Sequence, residues 1–234
     1  MSLTLRPDVC ATDTADGMVL LDEITGRYWQ LNRTAALVLR GLVDGAEPPD
    51  VARALCEAYP RITAERADAD TASIARADRG PVGGVHMSQP MVPATRSRLP
   101  LRRRPAALLA TATARLIVTL RPHRIRRILS VVRRGAAPAT TGQALASREA
   151  VVAVSARCAG EGCLQRSVAT ALLCRMRGVW PDWCIGVRTA PFRAHAWVEV
   201  DGLPVGEPHR PGEYQRMMVV PAALPEERRP ERRP

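Results

Sequence analysis

The feature that most limits how this chain folds is a change of charge sign along its length. Residues 1–86 carry 9 Arg against 13 Asp and Glu, a net of −4, and residues 87–234 carry 25 Arg against 10, a net of +15. Between Met87 and Arg134 there are 12 Arg and no acid. The step falls in a stretch punctuated by Gly80-Pro81, Gly83-Gly84, Pro90, Pro93, Pro100 and Pro105, which has the composition of a linker. Two units in series are therefore predicted, rather than one continuous core. Met87-Ser-Gln-Pro, inside the linker, resembles the start of a second reading frame, as in a fusion of two genes.

The overall charge of +11 and the pI of 10.7 would ordinarily point to nucleic acid. All 34 basic residues are arginine, however, which reads as codon bias in a GC-rich genome and weakens that inference. No run of about 18 apolar residues is present, so no transmembrane segment is predicted. Met1 to Arg6 lacks the basic and apolar regions of a secretory signal, which predicts a cytoplasmic protein with its six cysteines as thiols. The gaps between Cys158, Cys163, Cys174 and Cys184 lack the paired short spacing of a zinc site; neither a metal nor a cofactor is expected.

Residues 9–31 read as strands, with a turn at Glu23-Ile-Thr-Gly26. Asn32 is a good helix cap, and three helices are predicted to follow, completing a unit over 1–80. A linker over 81–105 leads to a second unit over 106–224, and the Arg- and Pro-rich tail 225–234 reads as disordered. In the second unit, two helices broken near Pro122 are expected to bury Leu108, Leu109, Leu116, Ile117 and Leu120 with Ile125, Ile128, Leu129 and Val132. Helices from about Ser147 to Arg157 and Cys163 to Arg177 come next, then strands over Asp182–Arg188 and His195–Val200. The fold class predicted is α+β: a small winged-helix-like sheet with three helices, linked to a papain/transglutaminase-like domain.

Cys163 is the candidate nucleophile. It opens a helix, where the positive end of the dipole favours the thiolate, and glycine at 162 leaves room for a substrate backbone. His195 is the candidate base, in a strand whose alternation puts His195, Trp197 and Glu199 on one face. Glu199 and Asp201 lie too far along an extended strand to orient the imidazole, at about 13 and 20 Å. Glu207 reaches it if a three-residue loop, 201–203, pairs residues whose numbers sum to 404. Cys163, His195 and Glu207 are thus the catalytic candidates.

Residues 148–210 resemble the leader peptidase of lasso peptide biosynthesis, a transglutaminase-like cysteine protease. The resemblance rests on Cys163-Leu-Gln-Arg-Ser167, Gly186-Val-Arg188, Pro191-Phe-Arg-Ala-His-Ala-Trp-Val-Glu-Val-Asp-Gly202 and Val205-Gly-Glu207. It implies a Cys-His-acid triad at Cys163, His195 and Glu207, although many members carry Asp at the last position. The first 80 residues resemble the recognition element of the same pathway, akin to the peptide chaperone of pyrroloquinoline quinone biosynthesis, through Gly26-Arg-Tyr-Trp-Gln-Leu-Asn32 and the helix after it. That likeness implies leader binding as an added strand along Arg27, Tyr28, Trp29, Gln30 and Leu31, against a third helix that is here unusually polar. The partners implied are a lasso precursor peptide and an asparagine-synthetase-like cyclase, with no nucleic acid. The alternatives are a non-catalytic peptide-binding scaffold and a transglutaminase-like enzyme that transfers the acyl group to an amine.

Overall fold

The computed structural model describes residues 4–75 and 100–222. Most of the expected linker and the whole expected tail lie outside the described residues. The chain divides into two compact units, Met1–His86 and Met87–Pro234.

The first unit begins with an antiparallel sheet of β1 (Val9–Thr14), β2 (Gly17–Asp22) and β3 (Tyr28–Asn32), in that order. Every residue of β2 is buried, which is why Met18-Val-Leu-Leu21 shows no alternation. Gly17 is required where it stands: its φ is +142° and a Cβ would lie 2.1 Å from the Leu31 carbonyl oxygen. Asp22 organises the following turn by accepting hydrogen bonds from the backbone of Ile24 and Thr25. Helix α1 (Arg33–Val43) opens on Asn32, whose Oδ1 accepts from Ala35 N at 2.9 Å, as expected from sequence. Helices α2 (Pro48–Ala58) and α3 (Ala64–Ala75) complete the unit. One apolar cluster joins Met18 and Leu20 to Ala36 and Leu39, and a second joins Val38, Leu42, Val51, Leu55 and Ala67. Ile74 of α3 packs against both, so this polar helix is tied down by one large aliphatic residue.

The second unit starts earlier than the sequence suggested. After a 3₁₀ turn at Leu101–Arg103, helix α4 (Arg104–Ile117) carries Pro105 in its first turn, where a missing N–H costs nothing. The α4 core face also differs from expectation. It buries Ala107, Ala110, Thr111 and Ala114, and leaves Leu108, Leu109 and Leu116 exposed. Small residues let α4 approach its neighbour closely, and that close packing wins over leucine burial. Helix α5 (Pro122–Val132) buries Ile125 and Leu129 as predicted. A short strand β4 (Ala137–Pro138) precedes α6 (Thr141–Val154). That helix begins six residues before Ser147 because Thr140 and Gln143 form a reciprocal capping box, a signal the apolar pattern hides. It stops before Ser155, which caps a separate four-residue helix, α7 (Ala156–Ala159).

Helix α8 (Cys163–Met176) is the centre of the unit and is buried continuously from Gln165 to Cys174. A helix enclosed on all sides carries no amphipathic stripe, and this one packs against α4 and α6 and against the sheet. A two-residue strand β5 (Val179–Trp180) pairs with β4. The main sheet follows: β6 (Asp182–Thr189), β7 (Phe192–Val200), β8 (Leu203–Pro204) and β9 (Gln215–Val220), antiparallel in the order β8-β7-β6-β9. Trp183 Nε1 donates to Ser167 Oγ at 3.1 Å, and Gln165 Nε2 donates to the Thr111 carbonyl at 3.1 Å, pinning α8 to β6 and to α4. Both units are mixed α and β, in line with the α+β expectation.

Candidate active site

Two elements bring the first two candidates together. Cys163 is the first residue of α8, and His195 is the fourth residue of β7, which packs on that helix. The His195 ring and the Ala196 backbone N–H both act to favour the ionised thiol. Burial opposes ionisation of the thiol, but the hydrogen bond and charge of His195, with Ala196 N–H and Arg166, outweigh it. Cys163 is therefore held below the ordinary thiol value, which favours the nucleophilic thiolate. Cys158, Cys174 and Cys184 go the other way: burial raises all three.

Gly162 has a packing role that the sequence did not show: a Cβ there would sit 2.7 Å from the Arg157 carbonyl oxygen, so this glycine lets α8 start tight against α7. Gly186 does similar work on the sheet. It lies opposite His195 in the β6–β7 ladder, and its Cβ would meet Gln215 O at 2.4 Å and Trp197 Cη2 at 2.7 Å. The space it leaves is filled by the Trp197 ring, which stacks on His195 with centroids 6.0 Å apart and planes 10° apart.

Glu207 reaches His195, though by another route than the sequence argument gave. The pairs Val200↔Leu203 and Glu199↔Pro204 sum to 403, with a two-residue turn at Asp201 (φ 51°) and Gly202 (φ 77°). The ladder that requires a sum of 404 is not formed, and strict pairing at 403 would turn Glu207 to the wrong face. The strand ends instead: after Val205 N donates to Val198 O, Gly206 adopts φ +65° and swings the chain off the sheet. Glu207 Oε2 then lies 3.0 Å from His195 Nε2, leaving Nδ1 as the ring atom available to Cys163.

Two arginines that sequence reasoning passed over hold this carboxylate. Arg148 Nε donates to Oε1 at 3.2 Å and Arg166 Nη2 donates to Oε2 at 3.4 Å. Arg166 is itself fixed by Nη1 donating to the carbonyls of Cys158 and Gly160. Arg166 stands in the Cys-Leu-Gln-Arg segment, and its one-turn spacing from Cys163 was the available signal. Burial alone would raise the Glu207 carboxyl; the His195 hydrogen bond and the charges of Arg166, His195 and Arg148 bring it down to about 2. Burial likewise disfavours charged His195, but hydrogen bonds and charge from Cys163 and Glu207 raise it to about 9. The arrangement sets a thiol biased toward its ionised form beside an imidazole biased toward its charged form and an ionised carboxylate, with two buried guanidiniums behind. It suits attack on a carbonyl carbon, with His195 returning its proton to the leaving group.

His209 and Tyr214, also unforeseen, place their rings 5.1 and 5.2 Å from His195. Ligand atoms of His195, Glu207 and His209 lie within 4.8 Å of one another and form a set that could hold a metal ion. Glu199, on the face predicted, stays apart: it accepts from Trp197 Nε1 and from Arg216.

The peptide-binding candidates lie in the other unit. Tyr28, Trp29, Gln30 and Leu31 form most of β3, and Arg27 immediately precedes it. Among the described residues β3 pairs with β2 alone, so its other edge is open to a further strand. Trp29 and Leu31 pack on the cluster that Ile74 also touches, and Tyr28 and Gln30 alternate to the opposite face.

Comparison with known proteins follows the same division. Residues 107–219 match the transglutaminase-like superfamily, and residues 17–76 match coenzyme PQQ synthesis protein D (PqqD). A solved structure described as lasso peptide synthetase B1 complexed with the leader peptide is 44% identical over 31% of this chain and 85% of its own, with a TM-score of 0.29. No curated protein matches.

Proposed function

We propose that this chain, whose residues 17–76 match the PqqD family and residues 107–219 the transglutaminase-like superfamily, binds the leader of a ribosomally made lasso precursor and hydrolyses the leader–core peptide bond. The observation that carries the reading is the continuous line from Cys163 through His195 to Glu207, with its carboxylate 3.0 Å from the imidazole. Cys163 attacks the scissile carbonyl, and His195 delivers a proton to the departing amine of the core. Glu207 keeps the imidazole oriented and stabilises its charged form. Water, deprotonated by His195, then resolves the thioester and frees the leader acid. The core amine released in this way is the group an ATP-dependent cyclase would use next.

Recognition is assigned to the open edge of β3, with Arg27, Tyr28, Trp29, Gln30 and Leu31 offering backbone hydrogen bonds and alternating pockets. Holding the leader on the same chain as the peptidase, over 106–224, makes the encounter of the scissile bond with Cys163 intramolecular. The test is mass spectrometry of a lasso precursor incubated with the full chain. Cys163→Ala and His195→Ala are expected to abolish cleavage and to leave the leader affinity, measured by fluorescence anisotropy, unchanged. Cleavage that persists in Cys163→Ala overturns the protease assignment.

A further inference from the structure

We propose that His195, Glu207 and His209 form a binding site for a zinc-type divalent cation, and that its occupation silences the peptidase. The inhibitory part rests on the proposed function; the site itself rests on geometry alone. One ligand atom from each residue lies within 4.8 Å of the other two, and the His195 Nε2–Glu207 Oε2 distance is 3.0 Å. Ligand atoms about 2.0–2.2 Å from a tetrahedral zinc stand roughly 3.3 Å apart, so small side-chain shifts seat the ion.

The state of His209 is the independent observation. Its Nδ1 lies 3.4 Å from the Arg210 carbonyl oxygen, which assigns the hydrogen to Nδ1 and the lone pair to Nε2. That Nε2 is shielded from solvent and has no hydrogen-bond partner, an expensive arrangement for a polar atom. A histidine donating Nδ1–H to a backbone carbonyl with Nε2 turned inward is the form in which imidazole ligates metals. Glu207 is prepared in the same sense, since Arg148 and Arg166 fix the orientation of its carboxylate. Imidazole and carboxylate donors suit zinc and its first-row neighbours rather than magnesium or calcium.

The charge balance is specific. His195 in its protonated form must give up the Nε2 proton to solvent as the ion takes that lone pair, so one proton leaves per ion bound. The guanidiniums of Arg148 and Arg166, both paired with Glu207, oppose a dication and set an upper limit on how tightly it is held. With the metal on Nε2, the imidazole keeps its Nδ1–H but loses the Glu207 hydrogen bond that orients the ring toward Cys163 and stabilises its charged form.

Zinc titration by calorimetry, with cobalt(II) absorption as a second readout, tests the site on the full chain. The comparison set is wild type, Cys163→Ala and His209→Ala, each checked for folding by circular dichroism. One zinc ion per chain, bound with micromolar affinity, is expected in wild type, retained in Cys163→Ala and weakened at least tenfold in His209→Ala. Zinc should stop precursor cleavage by wild type, EDTA should restore it, and His209→Ala should cleave at the basal rate with at least tenfold lower zinc sensitivity. Equal affinity in wild type and His209→Ala, or zinc lost with Cys163 and kept without His209, overturns the proposal. If no variant cleaves, the protease reading fails, and the calorimetry still decides the metal site.

Discussion

Replacing Glu207 by Gln tests whether the buried charge line is the source of both stability and reactivity. The substitution keeps the side-chain shape and removes the charge that faces His195, Arg148 and Arg166. In the folded chain the Glu207 carboxyl titrates at about 2, against 4.5 for the unperturbed group. A depressed folded pKa contributes stability that is present above the unfolded value and is lost as pH falls toward the folded one. The difference corresponds to about 3 kcal/mol at pH 7, and to about half of that at pH 3. His195 gains from the same contact and loses it at the other end, as pH rises from 6.5 through about 9, so the two shifts describe one interaction and are not added. Urea unfolding, followed by tryptophan fluorescence of Trp180, Trp183 and Trp197, measures the gap between wild type and Glu207→Gln at each pH. The gap should narrow by about 2 kcal/mol between pH 7 and pH 3. A gap of constant size across that range would refute the charge argument and leave Glu207 a hydrogen-bonding spacer.

Further outcomes follow from the same geometry. Iodoacetamide at pH 7 should alkylate Cys163 first and leave Cys158, Cys174 and Cys184 unlabelled in the folded chain, as peptide mapping would show; His195→Ala should slow the Cys163 reaction, because it removes the group that most favours the thiolate. Gly186→Ala forces a methyl group against the Gln215 carbonyl and the Trp197 ring, so it should cost about 1–3 kcal/mol in the same unfolding assay and lower cleavage through displaced His195. Thr140→Ala removes one half of the α6 capping box and should cost about 1 kcal/mol with cleavage intact.

The parts of the molecule that were legible in the sequence are those set by local chemistry. Asn32 as a cap, Gly26 in a turn and the strand face shared by His195 and Trp197 all depend on a few neighbouring residues. What stayed hidden depends on residues distant in the chain. Leu108, Leu109 and Leu116 looked like a core face because leucine is apolar; the buried face of α4, which packs on α8, instead carries Ala107, Ala110 and Ala114. Arg148 and Arg166 looked like two of 34 solvated arginines, and only the arrival of Glu207 from 59 and 41 residues away makes them buried partners. Glu207 itself was identified through a ladder that does not form. Pairing rules describe a strand that continues, and β8 ends after two residues.

That early ending has a consequence for how this site can change over generations. The acid is delivered by a left-handed turn at Gly206, where a Cβ would meet Arg148 and Leu145 at 3.1 Å, rather than by a ladder position. Side-chain length and loop path are therefore one inherited trait. An aspartate at 207 would fall short by a carbon–carbon bond, about 1.5 Å, unless the connection moved inward by the same amount. Moving it inward would crowd the guanidinium of Arg148. Exchange between the two acids is thus coupled to the loop path at Gly206 and to the Arg148 side chain beside it.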